Sequence, residues 1–193
     1  MNFFKSNGKL IFKTFMFQIV ISLLGTMLGT ATGAWSALRL AGTVFAVLVY
    51  FYIIGSQFWT KGSNDVIKKP ENYNPVYGFI AGFIAFVPAL VCILICCFVP
   101  MSDFDGNTTW VFALFAVVKL LFMGAYYGFA ATLYPTNINS TQEQIVAANF
   151  AQSFFFIWML IPAVLVCGIC YILGSKNINP FGIFNEQQTR DKK

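Results

Sequence analysis

One basic residue lies deep inside a long apolar run, and its position is the first in this sequence to suggest chemistry. Lys119 follows Trp110 by nine residues, which places it roughly 14 Å into a helix that begins there. A cation near the midplane of a ~30 Å hydrocarbon core is costly, so such a residue commonly faces a ligand or a polar cavity. No Asp or Glu lies in any apolar run. The candidate partners are an anionic ligand, polar side chains, and backbone carbonyls freed by Pro88 or Pro162.

Three polar side chains are predicted to share the environment of Lys119. At about 100° of rotation per residue, Tyr126 lies on the same helix face as Lys119. Gln18 and Ser22 belong to a polar and small stripe of the first apolar run. Together these residues form a candidate solute-binding cavity. The alternative is that Lys119 is neutral, or extends its amine to a water-filled cleft or the interface without binding a ligand.

The remaining reactive residue types indicate no enzyme. All five cysteines lie inside apolar runs, where burial disfavours the thiolate, and a membrane thiol oxidase would also need a pair on a loop. Asp103 and Asp105 are spaced like acidic ligands, a pattern more typical of a solvated turn. Histidine is absent, as are the common hydrolase and P-loop motifs. We expect no catalytic residue, no metal site and no cofactor. The cysteines are Cys92, Cys96, Cys97, Cys167 and Cys170.

The composition favours a membrane protein. Of 193 residues, 58% are hydrophobic and only 10% are charged, against about 25% charged residues in a typical soluble domain. Five apolar runs are each long enough to cross a bilayer as a helix. We expect an all-α polytopic transmembrane helix bundle in one domain, followed by a polar tail at 174–193. The predicted spans cover residues 10–34, 37–59, 76–101, 110–133 and 153–173.

Small residues spaced four apart predict where the helices approach each other. Lipid tails are as apolar as leucine, so membrane helices associate through close packing at small residues. Two interpretations stay open for the first-span glycines: packing within one chain, or docking on a partner subunit or a second copy. The glycines are Gly25, Gly29 and Gly33 in the first span, Gly78 and Gly82 in the third, and Gly124 and Gly128 in the fourth.

Charges near the span ends predict the orientation. Lysines flank the first span and the segment between the second and third spans, which favours a cytoplasmic N-terminus. Five crossings would then place the tail outside, although it carries Lys176, Arg190, Lys192 and Lys193. A re-entrant segment, or cleavage of the first span near Ala34 as a signal peptide, would remove this conflict. The flanking lysines are Lys5, Lys9, Lys13, Lys61, Lys68 and Lys69.

Two local signals refine the helix boundaries. The polar segment 60–75 ends in a proline and is expected to be a loop. Ser140 and Glu143 have the spacing of a capping box, so the fifth helix is expected to begin near Thr141, before it enters the hydrocarbon.

A resemblance to a known group rests on two stretches. Residues 59–88 contain a Gly–Asp loop followed by a glycine-rich span with a proline, and residues 171–178 close the last span with a Tyr–Gly–Lys pattern. In these stretches the chain resembles small multi-pass membrane proteins of Firmicutes, which implies a bacterial membrane location and no particular activity. In size and in its first helix it also resembles the substrate-capture subunits of energy-coupling-factor vitamin transporters, which commonly have six spans. The matching positions of the first resemblance are Gly62, Asp65, Gly78, Gly82, Pro88, Tyr171, Gly174 and Lys176.

Two functions are therefore open for a protein of the cell membrane. The first is a non-catalytic subunit or interaction partner in a membrane complex, which would bind other membrane subunits or a second copy through the Gly25–Gly29–Gly33 face. The second is a small solute transporter or substrate-binding membrane component, in which Lys119 lines a polar cavity and the partner is a small molecule. In both cases the chain contacts the lipid bilayer and no nucleic acid.

Overall fold

The chain folds into long helices in a computed structural model. Every regular element among the described residues is helical, which confirms the all-α prediction. Between α4 and α5 the backbone continues through a π-helical turn at Lys119–Met123 and a 3-10 turn at Gly124–Tyr126. The structure describes residues 3–32, 35–68, 70, 73–98, 109–135 and 142–178. The α-helices are α1 (Phe3–Ala31), α2 (Ser36–Lys68), α3 (Tyr77–Phe98), α4 (Thr109–Val118), α5 (Tyr127–Leu133) and α6 (Gln142–Ser175).

Five helical stretches of the described chain are long and apolar enough to cross a membrane. This agrees with the predicted polytopic bundle. Large apolar side chains are exposed along the outer faces of the helices, as expected where the surrounding solvent is lipid. The stretches are Phe3–Ala31, Ser36–Lys68, Tyr77–Cys97, Ala113–Leu133 and Gln144–Ser175.

The second helix is longer than the sequence predicts. It continues to Lys68, so the loop expected at 60–75 is wrong over residues 60–68. The polar residues of this stretch are held in the helix by packing, because Gly62 lies against the backbone of Tyr171 in α6 and Ser63 is buried. The last helix begins at Gln142, one residue after the predicted start. Ser140 of the predicted capping box lies outside the described residues.

Helix α6 packs against both α2 and α3. Helix α6 runs parallel to α2, since Gly55 lies against Cys170 and Trp59 lies against Gly174. It runs antiparallel to α3, since Gly78 lies against Tyr171 and Gly82 lies against Cys167. These glycines bring the helix backbones close together, which is the usual basis of association in lipid.

The start of α1 and the end of α6 lie at the same end of the bundle. The Phe3 ring packs against Tyr77 at the start of α3, with ring centroids 5.2 Å apart. Lys61, near the end of α2, donates a hydrogen bond of 3.5 Å to Ser6. Trp59 donates a hydrogen bond of 2.8 Å to the carbonyl of Ile178, just beyond α6. We call this the termini end, and the other end of the bundle the opposite end.

Candidate functional site

The site is built around the break between α4 and α5. At Met123 (φ −123°, ψ 6°) and at Tyr126 (φ −102°, ψ 1°) the backbone departs from α-helical values. A broken helix presents polar backbone groups, which in a membrane must be satisfied by neighbouring groups. Gln18 of α1 satisfies one of these backbone groups, because its side-chain nitrogen donates a hydrogen bond of 3.3 Å to the Phe122 carbonyl. Breaks of this kind are frequent at functional sites.

Two glycines let α1 lie directly on this break. A methyl group on Gly25 would lie 2.5 Å from the Gly124 carbonyl oxygen, and one on Gly29 would lie 2.7 Å from the Tyr127 ring. A methyl group on Gly124 would in turn overlap the Ser22 carbonyl. The two backbones are therefore in contact, and α1 fixes the position of the broken segment.

Beside the break is a cavity of about 480 Å³ that contains the Lys119 side chain. Its ammonium nitrogen donates a hydrogen bond of 3.4 Å to the Asn149 side chain and lies 4.0 Å from the centroid of the Phe115 ring. Both interactions are favourable to a cation, and neither neutralises its charge. The cavity is lined by Thr26, Thr30, Phe115, Ala116, Lys119, Leu120, Tyr127 and Asn149.

No carboxylate in the described part of the chain compensates Lys119. Asp65 is the one carboxylate whose side chain the structure describes, and it forms an ion pair with Lys61 at the termini end. Pro88 and Pro162 lie within α3 and α6, and neither lines the cavity. The Lys119 ammonium group therefore lines a cavity that an anionic or strongly polar group could occupy.

The predicted shared face of Lys119 and Tyr126 is wrong. Tyr126 is buried on the other side of the segment, where its ring meets Tyr50 of α2 edge-on at 6.0 Å. The prediction assumed a regular α-helix, but a π turn holds more than 3.6 residues and a 3-10 turn holds fewer. The Tyr126 hydroxyl has no hydrogen-bond partner among the described residues.

Gln18 and Ser22 are also placed outside the cavity lining. Both are buried, and both lie against the helix break rather than beside the Lys119 amine. Their role in the structure is to support the segment that carries Lys119. Asn149, which does contact Lys119, was not predicted, because it precedes the apolar run of the last span. Its sequence signal is the early helix start near residue 141, which brings Asn149 inside α6.

The spaced glycines face helices of the same chain wherever they are described. Gly25 and Gly29 lie on the broken segment, and Gly128 lies against Arg39 and Thr43 of α2. The α3 glycines contact α6, as described above. Gly25 and Gly29 therefore have no free face for a partner subunit, and Gly33 lies outside the described residues.

The cysteines form no disulfide in the structure, and Cys96 and Cys167 are buried. Within the described residues, no three His, Cys, Asp or Glu side chains come close enough to hold a metal ion. Asp103 and Asp105 lie outside those residues.

A second polar cluster joins the helices at the termini end. The Tyr171 hydroxyl donates a hydrogen bond of 2.9 Å to Asp65, which also accepts one from Lys61. The Tyr73 and Ser175 hydroxyls are 2.7 Å apart, and the Tyr73 and Tyr171 rings stack at 5.7 Å. Every charged group of this cluster is paired, so it joins α2 to α6 and has no free group to bind a solute.

The fold and the site together define a multi-pass helical membrane protein with a cation in an open cavity, and no carboxylate among the described side chains compensates this cation. Comparison with protein-family models, with curated proteins and with solved structures finds no match to this chain.

Proposed function

We propose that this chain is a non-catalytic membrane protein that binds a small solute in the Lys119 cavity. The observation that carries the proposal is a half-buried lysine in an apolar helical segment, whose described neighbours are an amide and an aromatic ring, with no described carboxylate among them. Withdrawing an ammonium group from water without a carboxylate partner costs free energy. An anionic or strongly polar ligand that pairs with the ammonium group would offset this cost.

The form of the cavity supports the same function. Its volume of about 480 Å³ falls within the range of small-molecule sites, roughly 300–1,000 Å³. Its polar groups come from three separate helical segments and converge on one space, while Phe115 and Leu120 provide apolar walls. Discontinuous membrane helices are a recurring way to build solute sites in transporters.

The alternative role, a subunit that docks through the first-span glycines, is less well supported. Gly25 and Gly29 contact the chain's own broken segment, and a partner helix could reach them only by displacing it. We therefore favour solute binding over docking as the role of this part of the molecule.

The proposal is tested by ligand-induced stabilisation of the purified protein in detergent. A panel of small carboxylates, phosphates, amines and neutral polyols is screened at 10–50 mM, roughly the concentration at which millimolar ligands stabilise measurably. We expect at least one solute to raise the melting temperature of the wild type and to have no effect on Lys119→Met.

The matched control is Lys13→Met. Lys13 is also a lysine on a membrane helix and lies 5.6 Å from the Phe17 ring centroid, but it is exposed and lines no described cavity. It should keep the full ligand response. The proposal is wrong if no solute of the panel stabilises the wild type, or if Lys119→Met responds as the wild type does.

A further inference from the structure

We infer that residues 109–133 form a re-entrant hairpin that enters and leaves the membrane at the opposite end, and that the Lys119 cavity takes small anions from that side. The inference deepens the proposed function, on which its second half rests. Its first half concerns topology alone and stands on contacts between helices.

The first half of the segment runs inward from the opposite end. Lys119 lines a cavity with Thr26, in the last two turns of α1, and bonds to Asn149, in the first two turns of α6. Three residues later, the Phe122 carbonyl accepts a hydrogen bond from Gln18. Gln18 precedes Thr26 by eight residues, which places it roughly 12 Å closer to the termini end. The chain therefore moves toward the membrane centre between Lys119 and Phe122.

The second half returns toward the opposite end. Gly124 lies against Ser22, and Tyr127 lies against Gly29, seven residues farther along α1. Gly128 then contacts Arg39, four residues into α2 and hence at the opposite end. The direction of travel has reversed within the broken turns.

Helix lengths agree with a hairpin. Helix α4 has 10 residues and α5 has 7, which correspond to roughly 15 Å and 10 Å. Neither reaches across a ~30 Å hydrocarbon core. Non-helical backbone is tolerated at membrane depth where it is buried in protein or lines a cavity, and the turn between α4 and α5 does both.

A hairpin leaves four complete crossings, by α1, α2, α3 and α6, and an even number places the start of α1 and the end of α6 on one side. The contacts at the termini end show the same arrangement. The charges agree with this arrangement. Nearly all the lysines at the described helix ends lie at the termini end, whereas Arg39 lies at the opposite end. By the positive-inside rule the termini end is cytoplasmic. The lysines are Lys5, Lys9, Lys13, Lys61, Lys68 and Lys176.

The cavity is consequently reached from outside the cell. Its lining residues Thr26, Thr30 and Asn149 lie in the turns of α1 and α6 nearest the opposite end. Inward of them, α1 lies in backbone contact with the broken segment at Gly25 and Gly124. Lys119 is the one charged residue among the described residues that line the cavity, so a cavity open on this side selects small anions.

Topology is tested first, by labelling single cysteines in intact cells with a membrane-impermeant maleimide. The native cysteines are replaced by alanine, and Lys5→Cys, Trp35→Cys, Pro135→Cys and Lys176→Cys are introduced singly at exposed positions. The hairpin predicts that Trp35→Cys and Pro135→Cys are labelled, whereas Lys5→Cys and Lys176→Cys are labelled only after the membrane is opened. Five full crossings predict the reverse for Pro135→Cys and Lys176→Cys, and that result would overturn the inference. If the cysteine-free protein does not fold, reporter fusions to both termini answer the same question in the native sequence.

Anion selection is tested separately with Thr30→Cys, whose side chain lines the cavity. Negatively and positively charged methanethiosulfonates are compared in intact cells, with Trp35→Cys as the reference for intrinsic reactivity. One ammonium group within about 8 Å favours the anionic reagent by roughly tenfold or more at an effective dielectric constant near 20. We expect Lys119→Met to abolish this preference and Lys13→Met to preserve it. Equal rates for both reagents in the wild-type background would contradict anion selection.

The maleimide labelling and the methanethiosulfonate comparison test separate claims, and neither depends on the result of the solute screen. The maleimide pattern does not require any solute to bind. The reagent preference reports the field in the cavity even if no solute of the stability panel binds. A cationic or neutral solute that stabilises the wild type through Lys119 would support the proposed function and overturn the anion preference.

Discussion

Lys119 is half-buried, and its described contacts suit a polar group better than a partly desolvated charge. Its contacts with Asn149 and with the Phe115 ring each contribute to stability, and cation–π contacts are worth roughly 0.5–2 kcal/mol. Partial removal of the ammonium group from water opposes these gains, because no described carboxylate compensates the charge. In the absence of a ligand, the side chain therefore reduces the stability of the fold in which it lies.

This imbalance predicts that Lys119→Met stabilises the ligand-free protein. Methionine matches the length of the lysine stem and carries no charge, so the free energy of unfolding should rise by about 1–3 kcal/mol. The measurement is unfolding of the detergent-solubilised protein, followed by circular dichroism without added solute. Lys13→Met is the comparison, because an exposed lysine should change stability by less than about 0.5 kcal/mol. A less stable Lys119→Met would mean that the cation is required for folding rather than retained for binding.

At the level of single residues, the sequence reveals Lys119 but not its surroundings. A lysine inside an apolar run can be recognised from composition alone. Its partner Asn149 was not identified, because it precedes the apolar run of the last span and no local pattern shows that it faces Lys119, although the helix start predicted near Thr141 places it inside α6. Tyr126 was misplaced because the rotation per residue about the helix axis changes at the π and 3-10 turns. No local pattern in residues 119–126 (KLLFMGAY) predicts that change.

At the level of helices, the position of the broken segment depends on how closely α1 approaches it. Gly25 and Gly124 allow the two backbones to touch, while Gln18 satisfies a carbonyl at the break. Any side chain at these glycines would separate α1 from the segment and thereby widen or distort the cavity.

We predict that Gly25→Ala destabilises the protein and weakens solute binding together. The added methyl group would meet backbone atoms of Gly124 and Ala125, which cannot move aside as a flexible side chain could. Overpacking of this kind costs about 1–3 kcal/mol, measurable by chemical unfolding, and the ligand-induced shift should fall in parallel.

The matched control for this prediction is Gly8→Ala on the same helix. Nothing lies within 4 Å of the added methyl group there, so the change should be neutral or stabilising by up to about 1 kcal/mol. Equal effects of the two substitutions would show that α1 does not press on the broken segment.

For the whole molecule, hydrophobic run length predicts the number of long apolar helices, whereas chain direction depends on contacts between distant residues. Five apolar helical stretches of sufficient length are present, as expected, and the fourth is the broken segment of α4 and α5. The sequence alone leaves one conflict: five crossings would place the basic tail outside, against the positive-inside rule. The contacts of Trp59 with Ile178 and of Lys61 with Ser6 place the end of α6 beside the start of α1. No composition rule contains that information, because a hairpin and a full span have the same hydropathy.

Helices α2, α3 and α6 form the part of the bundle against which α1 and the hairpin are placed. The Asp65 cluster fastens α2 to α6 at the termini end, where Tyr171 also packs on Gly78 of α3. One hydroxyl thus connects helices that are about a hundred residues apart in sequence. Loss of this hydroxyl should therefore lower the stability of the whole bundle and not only that of its immediate surroundings.

We therefore predict energetic coupling between Asp65 and Tyr171, measured by a double-mutant cycle on the unfolding free energy. Tyr171→Phe keeps the ring stacked on Tyr73 and removes only the hydroxyl, so it should cost about 1.5–3 kcal/mol, the usual value for a hydrogen bond to a charged group. In an Asp65→Ala background the same substitution should cost less than about 0.5 kcal/mol, because the acceptor is already gone. Solute binding at Lys119 should persist in Tyr171→Phe, since the two clusters lie at different ends of the bundle. Additive effects of the two substitutions would show that the hydrogen bond does not join α2 to α6 in the folded protein.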